Sequence, residues 1–174
     1  MNTLEAIAKR KSTREYKDVQ ITEEALDAIL KAGFASPVAM ARYDSLHITV
    51  VQSQELLDKV NAAAAEMLFK AMGVRKNTDF GAKTLVLVSS MPIHRTGMEY
   101  INAGIVIENM VLAATSMGID SVILGGAPSA IAQDAQLMKE LGIPQGLSPL
   151  VGAFFGYGVE NAPAKEHTIQ VNRV

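Results

Sequence analysis

No cysteine occurs in the 174 residues. That absence excludes a disulfide framework, a thiolate nucleophile and a thiolate-held metal, and it fits a reducing compartment. Charge of one sign is also missing: 16 basic side chains stand against 18 acidic ones, a net charge of -2. Such a balance gives no chain-wide attraction to nucleic acid or to an anionic membrane. The N-terminus has no apolar h-region of a secretory signal, so the expectation is a soluble, cytoplasmic protein. Uninterrupted apolar runs are short. In the longest candidate helix, Met98 to Met117, Glu99, Asn102, Glu108 and Asn109 break the pattern well before the roughly 18 residues a membrane span needs. His47, His94 and His167 are far apart with no metal-ligand spacing, so no metal is expected. There is no Gly-x-Ser-x-Gly elbow. Gly156-Tyr157-Gly158 lacks the third glycine and the following helix of a dinucleotide fingerprint. Repeats, linkers and low-complexity blocks are absent, and a single domain over residues 1–174 is expected, burying roughly 70% of its unfolded surface.

What is present begins with a dense basic stretch. Lys9, Arg10, Lys11 and Arg14 place four of the 16 basic residues within six positions, with Ser12 and Thr13 between them. Guanidinium forks, a mobile ammonium and hydroxyl donors are the chemistry of an anion site. The same cations would also suit the C-terminus of a short first helix. That helix is signalled by Asn2 with Glu5 three residues on, and by Leu4, Ile7 and Ala8 as an inner stripe. Thr22, Glu23 and Glu24 open a second helix with Leu26, Ile29 and Leu30 inward and Gly33 as its stop. A run of small residues around Ser36-Pro37-Val38-Ala39-Met40 follows, where a ligand can approach the backbone closely.

Further on, Leu46 to Val51 and Thr84 to Ser89 read as strands, with a helix between them from Ser53 to about Met72, before Gly73. Within the long helix, Asn102, Asn109 and Ser116 recur every seventh residue. Heptad spacing points to a helix–helix contact, between subunits for instance, or to ordered water inside one core. Ser121 to Leu124 is a strand leading to Gly125-Gly126-Ala127-Pro128, read as a turn whose glycines free the backbone for a bound ring. A helix through Leu137, Met138 and Leu141, a strand from Leu150 to Phe155 and a terminal strand at Ile169 and Val171 complete the reading. Taken alone, this alternation suggests a parallel, doubly wound sheet.

The stretches Arg10-Lys11-Ser12-Thr13-Arg14-Glu15-Tyr16, Ser36-Pro37-Val38-Ala39-Met40, Ile107-Glu108-Asn109-Met110 and Leu141-Gly142-Ile143-Pro144, in this order and spacing, resemble the nitroreductase family of FMN-dependent oxidoreductases. The resemblance spans essentially the whole chain. It implies an α+β fold, a mixed, largely antiparallel sheet flanked by helices, built as an intertwined homodimer with FMN at the interface. Arg10 and Ser12 of one subunit would then hold phosphate, with Lys11 among the cofactor-binding residues, and Arg14 would lie towards the ribityl chain or the pyrimidine edge. Pro37, Val38, Ala39 and Met40 of the other subunit would lie against the flavin. Leu124, Gly125 and Gly126 would flank N5 or O4, and Lys165 and His167 stand where the family often has a basic pair. The implied activity is reduction of a nitroaromatic, quinone or related acceptor by NAD(P)H, with both substrates using one flavin face in turn. The alternatives are an FMN-binding sensor or store, or another flavin chemistry on the same scaffold. Where many members carry Asn, Gln, Pro and Trp after the proline loop, this chain has Ala41, Tyr43, Asp44 and Ser45.

Overall fold

The computed structural model describes residues 1–92, 97–159 and 167–174. Its first helix, α1 (Thr3–Lys9), starts in a capping box, where the Asn2 side chain accepts from the Glu5 N–H at 3.0 Å and Glu5 accepts from the Asn2 N–H at 3.1 Å. Thr22 caps α2 (Glu23–Phe34) through the Ala25 N–H at 3.2 Å, a bond worth about 1 kcal/mol. Then come β1 (Leu46–Val51), α3 (Gln54–Met72), β2 (Thr84–Ser90), α4 (Met98–Ser116), β3 (Asp120–Leu124), α5 (Gly126–Ala132), α6 (Ala135–Glu140) and β4 (Ser148–Gly156). Gly73 closes α3 in the left-handed region at φ 70, a conformation that costs glycine nothing. Ser53 stands at the N-cap of α3 without making a side-chain cap bond.

The four strands form one sheet in the order β1-β2-β4-β3, with every neighbouring pair antiparallel. Among the described residues the parallel pairing is a lone bridge, Ser12 with Ser121. The doubly wound reading from alternation is therefore corrected. Its physical origin is visible in β2, whose seven positions are all buried. Val51, Leu85, Leu87, Val122 and Phe154 pack one sheet face against α3, α5 and α6. Val86, Val88, Ala153 and Phe155 pack the other against α2 and α4. Helices on both faces erase the apolar–polar alternation that usually marks an antiparallel strand.

Three local expectations also change. Gly33 lies inside α2, and a Cβ there would run into the buried Met110 side chain, so this glycine sets the close approach of α2 to α4 rather than ending the helix. Gly126 opens α5 instead of forming a turn; Pro128 sits in the first helical turn, where its missing N–H is not needed. Ile169 and Val171 are exposed and belong to no strand.

Candidate functional site

Arg10 caps the end of α1, its N–H donating to Ala6 O at 2.9 Å. From there the chain leaves the helix, bridges the outer edge of β3 at Ser121 and continues beside the residues that follow β4. The Thr13 N–H donates to Ser121 O at 3.0 Å, Tyr16 to Phe80 O at 3.1 Å, and Lys17 to Tyr157 O at 2.8 Å; Val159 donates back to Glu15 O at 3.1 Å. This pairing turns Thr13 and Tyr16 inward, leaves Ser12 and Arg14 exposed, and keeps Arg10 and Lys11 half-buried. Lys9 closes the helix, while the other cations are displayed from an edge that the sheet holds rigid.

Gly156 and Gly158 are the seat of this segment. A Cβ on Gly156 would stand 2.9 Å from Cδ1 of the Tyr16 ring, and one on Gly158 would strike the Asp120 carboxylate and meet the Thr13 methyl at 3.0 Å. The Gly158 N–H donates to Asp120 Oδ2 at 3.0 Å. Burial, and then the nearby Asp120 charge, push the Tyr16 hydroxyl far above its ordinary pKa, with Arg14 opposing. Tyr16 is thus a neutral anchor beneath the cations. The hydroxyls of Thr13, Tyr16 and Ser121 are buried and have no hydrogen-bond partner among the described residues.

From Ser121, β3 runs three residues to Leu124, roughly 10 Å at strand rise. There the chain turns into α5 at Gly125 and Gly126. Both glycines are exposed, neither adopts a positive φ, and a Cβ at either would meet no atom within 4 Å. Their backbone therefore opens onto free space, not into a strained turn. Beside them lies a cleft of about 290 Å³ lined by Leu124, Gly126 and Ala127 together with Ala64, Met67, Leu68, Ala71, Thr78 and Phe80. Guanidinium, ammonium and hydroxyl groups near the start of β3, and an uncrowded backbone beside an apolar cleft past its end, have the chemistry to meet an anionic group and a flat ring.

The proline loop is elsewhere. It feeds β1, the edge strand opposite β3, and three strand spacings put roughly 14 Å between those edges. Ser36 and Val38 are buried, Pro37 is exposed, Ala39 is half-buried, and Met40 is 90% exposed. Tyr43 turns its hydroxyl back to donate to Ser36 O at 3.3 Å, and Ser45 donates to Arg42 O at 2.7 Å. An apolar cleft of about 470 Å³ adjoins the loop between α2, α4 and β1, lined by Gly33, Phe34, Val38, Tyr43, Ile48 and Val106 among others.

Two residues that hold this loop were visible in the sequence only as a heptad. Asn102 accepts from the Ala39 N–H at 3.1 Å, and Asn109 donates to Ser36 Oγ at 2.9 Å. The polar stripe of α4 serves the loop of its own chain, while Ser116 merely donates to Ala113 O. Within one chain, Arg10, Lys11, Ser12 and Arg14 belong to the segment that bridges the start of β3 at Ser121, Leu124 ends that strand with Gly125 and Gly126 just beyond it, and Pro37 to Met40 precede β1 at the other edge. His167 is exposed, and Lys165 lies outside the described residues.

The sequence matches the model of the Nitroreductase family over residues 7–157. An NADPH-flavin oxidoreductase of Vibrio harveyi is 27% identical over 173 residues, covering 94% of this chain and 69% of the relative. Among solved structures, a nitroreductase with bound FMN from Bacteroides fragilis superposes with a TM-score of 0.84 at 29% identity, covering 100% of this chain and 97% of the other. A second, a nitroreductase with bound FMN from Desulfitobacterium hafniense, gives 0.85 at 26% identity, with 99% and 100% covered. With its antiparallel sheet sandwiched between helices and its cations laid along β3, this chain belongs to the nitroreductase family.

Proposed function

We propose that the protein is an FMN-dependent NAD(P)H oxidoreductase that works as a homodimer and reduces a small acceptor such as a nitroaromatic or quinone. One observation carries the reading: the cationic segment is bonded to β3, the strand that ends at the open Gly125–Gly126 backbone beside an apolar cleft. Family membership supplies the chemical class. In this reading Arg10, Lys11 and Ser12 hold the phosphate and Arg14 faces the ribityl chain or the pyrimidine edge. The exposed backbone of Gly125 and Gly126 leaves room for the ring edge, where a backbone N–H can donate to N5 or O4. When bound, FMN accepts and donates the hydride at N5, so the protein's part is binding, orientation and electrostatics. Reduced nucleotide and acceptor then use the same face in turn.

The distance between the two candidate halves supports the dimer. Arg10 lies two residues before the Ser12 bridge to β3, while the Pro37–Met40 loop leads into β1 at the other edge of the same sheet, which fits a site that draws one from each subunit. Tyr43, which would hinder turnover if it lay over the ring, is tied back to Ser36 O; that favours the enzyme over the sensor or store.

The test is the absorption spectrum of the purified protein, followed by anaerobic titration with NADH and NADPH. Flavin bands that bleach with reduced nucleotide and return on adding a quinone are expected. A colourless protein that takes up no FMN contradicts the proposal.

A further inference from the structure

Met40 and Ala41 both lie in the left-handed region, with φ of 57 and 54. For residues with a Cβ this conformation costs about 1–2 kcal/mol each, and such strain persists only where surrounding structure enforces it. The loop's own bonds, Ala41 N–H to Val38 O at 3.0 Å and Arg42 N–H to Ala39 O at 3.3 Å, span a single turn. Enforcement from outside comes from α4. Asn102 and Asn109 are seven residues apart, about 10.5 Å along a helix, and they grip Ala39 and Ser36 respectively. Two anchor points on a rigid helix define both the position and the orientation of the loop root, while its tip, Met40, stays exposed.

Asn102 carries a cost for this. It is 1% exposed on a helix whose neighbouring positions, Ala103 and Val106, are buried and apolar, and its Nδ2 has no partner among the described residues. Burying an amide with a donor left unpaired is unfavourable, and an apolar side chain would pack there without that penalty. Its bond to Ala39 is the compensating contact.

We propose that Asn102 and Asn109 are positioning residues, which hold the strained Pro37–Ala41 loop in the shape that meets the cofactor bound by the partner subunit. This inference rests on the reading that the loop faces FMN. By fixing the loop before the cofactor arrives, the asparagines remove an ordering cost from binding and set how closely the ring is approached.

The experiment uses the full chain loaded with FMN. Asn102→Leu keeps the branch at Cγ and removes the acceptor. Asn109→Ala removes the second anchor and carries the test if the first variant does not fold. Ser116→Ala, on the same heptad, is the control. Amide hydrogen exchange reports the loop, and stopped-flow reduction by NADH or NADPH reports the cofactor. Exchange at Ala39 to Ala41 is expected to rise about tenfold, the equivalent of one lost hydrogen bond. Amides of β2 and β4 should be unaffected, and flavin reduction should slow more than FMN affinity falls. Unchanged exchange at Ala39 in both variants overturns the mount and leaves the FMN reading standing. A loosened loop with unaltered reduction and affinity overturns the role at the cofactor. Absence of FMN binding by the unmutated protein overturns the functional reading and the proposal together.

Discussion

The cationic segment and the proline loop solve the same problem in opposite ways. Arg10 to Lys17 is seated by the backbone: bonds to Ser121, Phe80 and Tyr157 align it on the sheet, and Thr13 and Tyr16 lock it by burial. The loop from Ser36 to Ser45 is seated by side chains, two asparagines of α4 and the hydroxyls of Tyr43 and Ser45, and it stores backbone strain. A backbone seat tolerates many side chains but requires glycine where the segment touches β4. A side-chain mount leaves the local sequence freer and depends on single residues on a distant helix. The first arrangement suits a fixed charge, and the second suits a surface whose shape must be adjusted.

The largest expected effect lies on the fixed-charge side. If Arg10 grips the FMN phosphate, Arg10→Ala loses a charge-assisted bond of roughly 1.5–3 kcal/mol, and FMN affinity falls about tenfold to a hundredfold. Riboflavin, which lacks the phosphate, should be little affected. Titration with both ligands checks this, and equal weakening would remove Arg10 from the phosphate site.

The seat itself is the next target. Gly158→Ala places a methyl against the Asp120 carboxylate, which cannot withdraw without releasing the Gly158 N–H, and against the Thr13 methyl, whose backbone is held by its bond to Ser121. Overpacking of this kind costs about 1–3 kcal/mol. The midpoint of urea unfolding should fall accordingly, and FMN affinity should fall with it, because the cations lose their alignment. At the other end of β3, Gly126→Val meets open space in the protein alone. Stability should therefore hold, while reduction of bound FMN slows more than its affinity drops. Stopped-flow and equilibrium titration separate the two.

How far this contrast was legible follows from the range of the interactions. The cations announce themselves locally, so Arg10 to Arg14 stood out; so did β1, read at Leu46 to Val51, and the end of α3 at Gly73. The edge of β3 that carries the cations is a pairing across more than a hundred residues, and no local pattern marks it. Gly156 and Gly158 fail the dinucleotide fingerprint, and no local pattern reveals their use, which is to admit Tyr16 and Thr13. Asn102 and Asn109 were conspicuous by spacing, but their partners, 63 and 73 residues away, were not. Gly33 looked like a helix stop because closeness to Met110 is a tertiary fact.

A smaller effect concerns the anchor beneath the cations. Tyr16 has a folded-state pKa raised above its ordinary 10.0, first by burial and then by Asp120. A raised pKa means that this group's contribution is intact below pH 10.0 and is lost progressively as pH rises above it. Tyr16→Phe should remove that part of the alkaline loss. At neutral pH it should change stability by no more than about 1 kcal/mol, since the hydroxyl it deletes has no partner among the described residues. Thermal melts at neutral and alkaline pH read both effects.

The claim that joins the two regions is that each site takes its cations from one subunit and its loop from the other. Mixed dimers test it most directly. One chain carries Arg10→Ala, and the other carries a bulky Ala39→Phe in the loop. If sites are shared, every mixed dimer holds one doubly damaged site and one intact site, and about half of the normal activity per dimer returns on mixing. No recovery in verified mixed dimers, or a monomer at micromolar concentration that still holds FMN, would contradict it.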